Sequence, residues 1–133
     1  MKTMRRVGVA ILIVGSGLAA GGAQPQQPTT SRSDLQRHDL SVPGYEAVQA
    51  IVGFDQGVAA PRHTHPGEEI IYVLEGTLEY RVEGQPPKTL KAGDVLFVPA
   101  RTIHSAKNVG AGHAAELATY VVEKGKPLLV PAP

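Results

Sequence analysis

The sequence has no cysteine and no tryptophan, and few aromatic residues of any kind. Its 133 residues include two phenylalanines and four tyrosines. Without cysteine the chain forms no disulfide and carries no acylated cysteine of the lipoprotein type. With so few aromatic rings, the core must be mostly aliphatic. The stability of such a small domain therefore depends on close packing, helped by a bound metal ion or a partner subunit.

The sequence also lacks an excess of positive charge. Its formal net charge is +1, and three of the 13 basic residues (Lys2, Arg5 and Arg6) lie at the very N-terminus. Without those three the formal charge is −2. A nucleic-acid-binding protein needs a basic patch or stripe, so the sequence predicts no nucleic-acid partner.

The only long apolar run lies at the N-terminus. The three basic residues precede an uncharged apolar run at 7–18, and small residues follow as far as Ala23. This order is typical of a signal peptide, so we expect a leader at 1–23, cleavage near Ala23, and a periplasmic or secreted protein. The run is short for a membrane-spanning helix, and an uncleaved leader is the one membrane contact that we expect. The polar, proline-rich residues 24–34 predict a disordered linker.

From residue 35 onward, short β-type runs alternate with turn residues, and no helical period appears. Strands recurring every eight to twelve residues indicate an all-β sandwich or barrel. Residues 69–74 are apolar on both faces after their glutamate, as in a strand that is covered on two sides. We expect one β-domain at 35–123 and an apolar C-terminal tail at 124–133, lying on the barrel or on a partner.

Four side chains are candidate metal ligands. His63 and His65 are two residues apart, so their side chains share one face of an extended segment. Glu69 follows after a Pro-Gly turn, and His104 lies in a later strand-like segment. Imidazole and carboxylate are typical ligands of zinc, iron, manganese and nickel. The sequence therefore predicts one divalent metal ion at His63, His65, Glu69 and His104.

The spacing of these residues resembles two motifs of the cupin superfamily. The matched positions are Gly57, His63, His65, Glu69 and Gly76 in the first motif, and Gly93, Pro99, His104 and Asn108 in the second. The chain is similar to small, single-domain cupins of the quercetin-dioxygenase-like type. The resemblance implies an antiparallel jelly-roll barrel, metal binding by the same four residues, and a homodimer paired through edge strands. Arg101 departs from the pattern, because the second motif has glycine there.

Three functions are compatible with this sequence. The first is an iron- or manganese-dependent dioxygenase, although no second carboxylate is recognisable beside the ligands. The second is a non-redox isomerase, lyase or decarboxylase of a small oxygenated acid, with Arg101 or Tyr72 orienting its carboxylate. The third is a module that binds a small ligand without turnover. Glu68 is a candidate base or a solvated residue, and Tyr72, Tyr80 and Phe97 are candidates for the cavity wall or the core.

Overall fold

The computed structural model describes residues 26–133, and the predicted signal peptide lies outside this range. Between residues 26 and 133 the chain has ten β-strands and no helix, so this part contains no helix that could cross a membrane. The strands are β1 (Thr30–Asp39), β2 (Tyr45–Phe54), β3 (Ala59–Thr64), β4 (Gly67–Glu75), β5 (Thr77–Val82), β6 (Lys88–Lys91), β7 (Val95–Val98), β8 (His104–Asn108), β9 (Ala114–Glu123) and β10 (Val130–Pro131).

The strands form two five-stranded antiparallel sheets. One sheet has the order β1-β2-β9-β4-β7 and the other has the order β10-β3-β8-β5-β6. Strands adjacent in sequence repeatedly lie in opposite sheets, which is the arrangement of a jelly roll. The expected all-β jelly-roll fold is therefore confirmed.

The core lies between the sheets and is mostly aliphatic, as the composition predicts. Side chains of β4 alternate, so that Ile71 and Val73 are fully buried while their neighbours point outward. Leu78 on β5 and Phe54 on β2 complete the centre of the main apolar cluster. Burying each such side chain contributes about 1.5–3 kcal/mol, and this packing positions the strands that carry the site.

The first strand begins earlier than the sequence predicts. Residues 24–34 are expected to form a disordered linker, but β1 starts at Thr30 and pairs with β2, with Thr30 opposite Phe54 and Arg32 opposite Val52. All ten residues of β1 are exposed. The strand is held by backbone hydrogen bonds to the edge of β2, and it buries none of its side chains. Its sequence therefore has no hydrophobic pattern by which it could be predicted.

The C-terminal tail lies on the barrel itself. Within it, β10 pairs with β3, placing Val130 opposite Thr64 and Pro131 opposite His63. The backbone N–H of Ala132 also donates to the carbonyl of Arg62 at 3.0 Å. The tail therefore covers the outer edge of the strand that carries the first histidine.

The three motif glycines occupy positions that glycine favours. Gly57, Gly76 and Gly93 have φ angles of 75°, 76° and 92°, in the region that residues with a Cβ atom rarely adopt. A Cβ atom on Gly76 would lie 2.7 Å from Ala114 Cα. Arg101 stands at the position where the second cupin motif has glycine, and its φ angle is 57°. It is the only non-glycine residue between 26 and 133 with a positive φ angle.

Candidate metal centre

The β3–β8 pairing brings the three histidines together. His63 and His104 are directly opposite each other in this antiparallel pair, so their side chains point to the same face of the sheet. His65 follows β3 immediately. The ring centroids are 4.3 to 5.1 Å apart, and one nitrogen of each ring lies within 4.8 Å of the others.

Glu69 reaches the same point from the opposite sheet. It lies on β4, and its Oε2 atom is 3.0 Å from His104 Nε2 and 3.3 Å from His65 Nε2. Its exposed fraction is 3%. All four predicted ligand residues are therefore buried. The three imidazoles form one cluster and Glu69 contacts two of them, His65 and His104, although these residues come from segments as much as 41 positions apart in the sequence.

The backbone sets the tautomer of each imidazole. The Nδ1 atoms of His63, His65 and His104 are 2.6, 2.6 and 2.9 Å from the carbonyl oxygens of Pro61, Leu128 and Thr102. A carbonyl oxygen only accepts hydrogen bonds, so Nδ1 carries the proton and donates it. The lone pair of each Nε2 atom is then free for a metal ion, with ring orientation held as in known metal sites.

This arrangement fits a divalent cation. With the protons on Nδ1, the His65 and His104 Nε2 atoms and the Glu69 carboxylate are all acceptors, and they face one another. The Nε2 atom of His65 is buried and has no hydrogen-bond partner in the described part of the chain. Leaving such a group unsatisfied costs about 1–3 kcal/mol. A divalent ion held by the three imidazoles would satisfy their lone pairs. With the Glu69 carboxylate as a fourth ligand, the centre would have a net charge of +1.

The pKa shifts favour the forms of these ligands that bind metal. Burial lowers the pKa of His63 below 6.5, and positive charge on His104 and His65 lowers it further. Burial opposes ionisation of Glu69. When the imidazoles of His104 and His65 are protonated at both nitrogens, however, they donate hydrogen bonds to Glu69, and these bonds and charges lower its pKa to about 2. A neutral imidazole and an ionised carboxylate are the forms that coordinate a metal.

The four ligand residues line a cavity of about 250 Å³ between the sheets. Apolar side chains from both sheets form most of the remaining wall. The polar residues of the wall beyond the predicted ligands are Thr30, Ser31, Arg32, Tyr80, Glu116 and Tyr120. A cavity with a few convergent polar groups in an apolar wall is typical of a small-molecule site.

Glu116 and Tyr80 form a buried pair in this wall. Glu116 lies on β9 with 3% exposure, and the hydroxyl of Tyr80 on β5 donates a hydrogen bond to its Oε2 atom. Burial, followed by the charge of Glu69, raises the pKa of Glu116 to about 8. No second carboxylate is recognisable beside the ligands from the sequence, but the structure places Glu116 in the wall of the same cavity. Glu116 lies in an apolar segment of β9, and a lone glutamate between apolar residues is the pattern that could have revealed it.

Tyr120 connects the histidines with a cation from the first strand. Its ring meets that of His65 edge-on, with centroids 4.7 Å apart. The guanidinium carbon of Arg32 is 5.3 Å from the Tyr120 centroid, and its Nη1 atom is 3.5 Å from the hydroxyl oxygen. Arg32 falls within the predicted linker, which is why sequence reasoning missed it.

Several other predicted positions lie away from the cavity. Arg101 points outward and pairs with Glu123 on β9, so it does not orient a ligand carboxylate. Tyr72 and Phe97 are 46% and 55% exposed on the outer face of the sheet, and belong neither to the core nor to the cavity wall. Glu68 does not line the cavity, whereas Tyr80 does.

Comparison with known proteins identifies a family. The sequence model of the family described as "Cupin domain" matches residues 50–123, which is more than half of the chain. Among curated proteins, dimethylsulfoniopropionate lyase DddQ of Ruegeria pomeroyi is 39% identical over 57 residues, covering 43% of this chain and 28% of that protein. Germin-like protein 1-1 of Oryza sativa is 36% identical over 88 residues, covering 60% of this chain and 41% of that protein. The chain thus spans less than half the length of both relatives.

Solved structures share the architecture. The crystal structure of the same Ruegeria lyase superimposes with a TM-score of 0.59 at 28% identity, covering 65% of this chain and 43% of that one. Recombinant oxalate oxidase in complex with glycolate gives a TM-score of 0.62 at 22% identity, covering 77% of this chain and 54% of that one. The second likeness establishes the fold alone.

Proposed function

Because this chain belongs to the cupin family, with three histidines at one point of its interior, we propose that it is a metal-dependent enzyme acting on a small carboxylate. The observation that carries the proposal is the set of Nδ1–H bonds to backbone carbonyls, which leaves the Nε2 lone pairs of His63, His65 and His104 beside Glu69. Iron, manganese, zinc and nickel are all compatible with these ligands.

A bound metal ion would polarise an oxygen atom of the ligand and stabilise negative charge on it. The protein supplies the remaining features of the site. The two sheets bury the four predicted ligand residues, and the carbonyls of Pro61, Leu128 and Thr102 hold the imidazoles in place. The cavity volume of about 250 Å³ limits the ligand to a small molecule.

Arg32 supports a carboxylate as the group that is recognised. Its guanidinium lines the cavity, its Nε atom donates to Asp34 at 2.7 Å, and its Nη1 atom is close to the Tyr120 hydroxyl. The Nη2 atom makes no hydrogen bond within residues 26–133. Arginine binds carboxylates through two parallel N–H groups, and we assign to Arg32 the role that the sequence suggested for Arg101.

The lyase relative supports the same ligand class. It is named for dimethylsulfoniopropionate, which is a small carboxylate. This relative favours the non-redox alternative over the dioxygenase.

The proposal is tested by metal analysis followed by ligand binding. Protein isolated from its own host is expected to contain about one divalent ion per chain. Calorimetry with oxalate, glycolate and malonate should then show binding that requires the metal and that weakens about tenfold or more in Arg32→Gln. Arg37→Gln, on the exposed β1 strand but outside the cavity, is the matched control. Metal-free protein from the host, or carboxylate binding unaffected by Arg32→Gln, would contradict the proposal.

Oxygen consumption separates the two enzymatic alternatives. A lyase or decarboxylase converts its carboxylate under anaerobic conditions, whereas a dioxygenase consumes oxygen in step with product. Binding of a carboxylate without any product, with or without oxygen, would favour the ligand-binding module.

We also propose that the protein is exported and forms a homodimer. The leader-like residues 1–23 support export, and N-terminal sequencing of the protein from fractionated host cells tests it. An exposed apolar surface on β4 and β7 supports the dimer, with Ile70 opposite Phe97 and Tyr72 opposite Val95.

A further inference from the structure

One buried acidic group in the cavity has no part in holding a metal ion. Glu116 lies near the start of β9, the middle strand of its sheet, where its backbone lies between Val52 of β2 and Val73 of β4. Its exposed fraction is 3%. Val73, opposite Glu116 on β4, and Phe54, which lines the same cavity, both belong to the main apolar core. A carboxyl group in such surroundings requires a hydrogen-bond partner or a function, because burying it without either is unfavourable.

Tyr80 supplies one hydrogen bond and leaves the second carboxyl oxygen free. The Tyr80 hydroxyl donates to Oε2, and Oε1 has no hydrogen-bond partner in the described residues. Both residues line the cavity that contains the three histidines. The free oxygen thus belongs to a group that a ligand in the cavity can reach.

We propose that Glu116, held by the Tyr80 hydroxyl, exchanges protons with a small carboxylate bound in the cavity. When Glu116 donates, its O–H bond breaks and the proton bonds to the ligand atom that holds the new electron pair. The Glu116 carboxylate that remains accepts the Tyr80 O–H. In the reverse direction the carboxylate removes a proton from the ligand, and the C–H electron pair stays on the ligand. No oxidant or reductant is needed.

The charges around Glu116 are consistent with this role. Burial is the largest cause of its raised pKa, the charge of Glu69 also raises it, and the Tyr80 hydrogen bond lowers it. A metal cation beside Glu69 would offset the effect of that charge, whereas the burial remains. The other titratable or charged groups lining the cavity are His63, His65, His104, Tyr120 and Arg32. A general acid–base group with a pKa near the working pH is the most effective one.

This inference rests on the proposed function, since it requires a carboxylate in the cavity. The first test needs neither metal nor ligand. Infrared spectra of the metal-free protein at pH 6 should contain the band of a protonated carboxylic acid in the parent. The band should be absent from Glu116→Gln and shifted in Tyr80→Phe, which removes the hydrogen bond. A parent without the band, or a Glu116→Gln variant that retains it, would overturn the inference.

The second test follows proton exchange directly. Malonate is incubated in D₂O with Mn²⁺-loaded protein, and loss of its methylene protons is followed by NMR. The parent should accelerate the exchange, and Glu116→Gln should lower the rate at least about 100-fold while still binding Mn²⁺ and malonate. Tyr80→Phe, with Glu116 intact, should lower it about tenfold, and it provides an independent result if Glu116→Gln does not fold.

Glu79→Gln is the matched control. Glu79 neighbours Tyr80 on β5, but it pairs with the exposed Arg81 outside the cavity, so the exchange rate should match the parent's. A parent that binds malonate without accelerating exchange, or a folded Glu116→Gln variant within threefold of it, would overturn this inference alone. Failure of the parent to bind Mn²⁺ or malonate would instead overturn the proposed function, and the binding measurement distinguishes the two results.

Discussion

The two faces of strand β4 are almost equally apolar in sequence, yet they have opposite surroundings. The inward residues Ile71 and Val73 are fully buried, and Glu69 beside them is 3% exposed. The outward residues Ile70, Tyr72 and Leu74 are 46%, 46% and 42% exposed. The inner face carries one carboxylate, Glu69, with two imidazoles against it. The outward residues Ile70, Tyr72 and Leu74 are all apolar, and no part of residues 26–133 covers them.

The difference indicates that the two faces would bind different partners: a cation on the inner face and an apolar surface on the outer face. Inside, lone pairs of His65, His104 and Glu69 converge, and a cation would satisfy them. Outside, Val95 and Phe97 on the edge strand β7 extend the apolar surface, with exposures of 64% and 55%. Contiguous apolar surface of this kind marks interaction sites, so a second copy would complete the outer face.

The largest expected effect is on the inner face. Substituting His104→Ala removes the ligand opposite His63 and should lower the metal content from about one ion per chain to below about a tenth. Elemental analysis of the purified variant measures this. The exposed His38→Ala on β1 is the control and should keep the parent's metal content. Full metal occupancy in His104→Ala would contradict the assignment of His104 as a ligand.

The next effect concerns the stability of the metal-free protein. The pKa of Glu116 is about 8 in the fold against 4.5 for the ordinary group, so between these values the folded protein keeps a proton that the unfolded chain has lost. Stability should therefore fall as the pH rises from 5 to 8.5, by at most roughly 5 kcal/mol at about 1.4 kcal/mol per pKa unit.

Denaturant unfolding of the parent and of Glu116→Gln at both pH values checks this. The variant lacks the titrating group, so its stability relative to the parent's should increase with pH. The lowered pKa of His63 has the opposite sign, because stability is lost as the pH falls below 6.5. That contribution is present in both proteins and does not affect their difference. An unchanged difference between pH 5 and 8.5 would mean that Glu116 is not held protonated by the fold.

On the outer face, a charge should dissociate the proposed dimer without unfolding the chain. Phe97→Glu places a carboxylate at the centre of the apolar surface, opposite Ile70. The molecular mass measured by light scattering during gel filtration should fall from that of a dimer to that of a monomer, and the metal content should stay unchanged. Val109→Glu, which alters an exposed apolar residue elsewhere, should remain dimeric. A parent that is already monomeric would refute the proposed partner for this face.

The smallest effect concerns Arg101, which faces outward beside the site. Its φ of 57° is strained for any residue with a Cβ atom, so Arg101→Gly should be more stable than Arg101→Ala by about 1 kcal/mol. Both variants lose the pair with Glu123, so that loss cancels in the comparison. Thermal unfolding of the two variants measures the difference, and equal melting temperatures would indicate that this turn is relaxed.

Much of the inner face could be predicted from the sequence. The His-x-His spacing, Glu69 and His104 belong to ordered motifs, and strand alternation places them on inward faces. Arg32 and Glu116 could not be assigned in the same way. Arg32 lies in a strand held by backbone pairing alone, which has no hydrophobic period, and Glu116 lies 47 residues after Glu69 in an otherwise apolar segment.

The roles expected of Tyr72 and Phe97 were wrong for a related reason, because a strand that is apolar on both faces does not reveal which face is inside.

The sequence by itself determined the β-class, the turn glycines and the four candidate ligands, because these depend on local spacing and on the period of two along a strand. Only the tertiary structure decided which long-range partners complete the cavity. It placed the Leu128 carbonyl against His65, Tyr80 against Glu116, and Arg32 over Tyr120. These contacts depend on which strands pair and on how the two sheets stack, and neither property is encoded in the spacing of neighbouring residues.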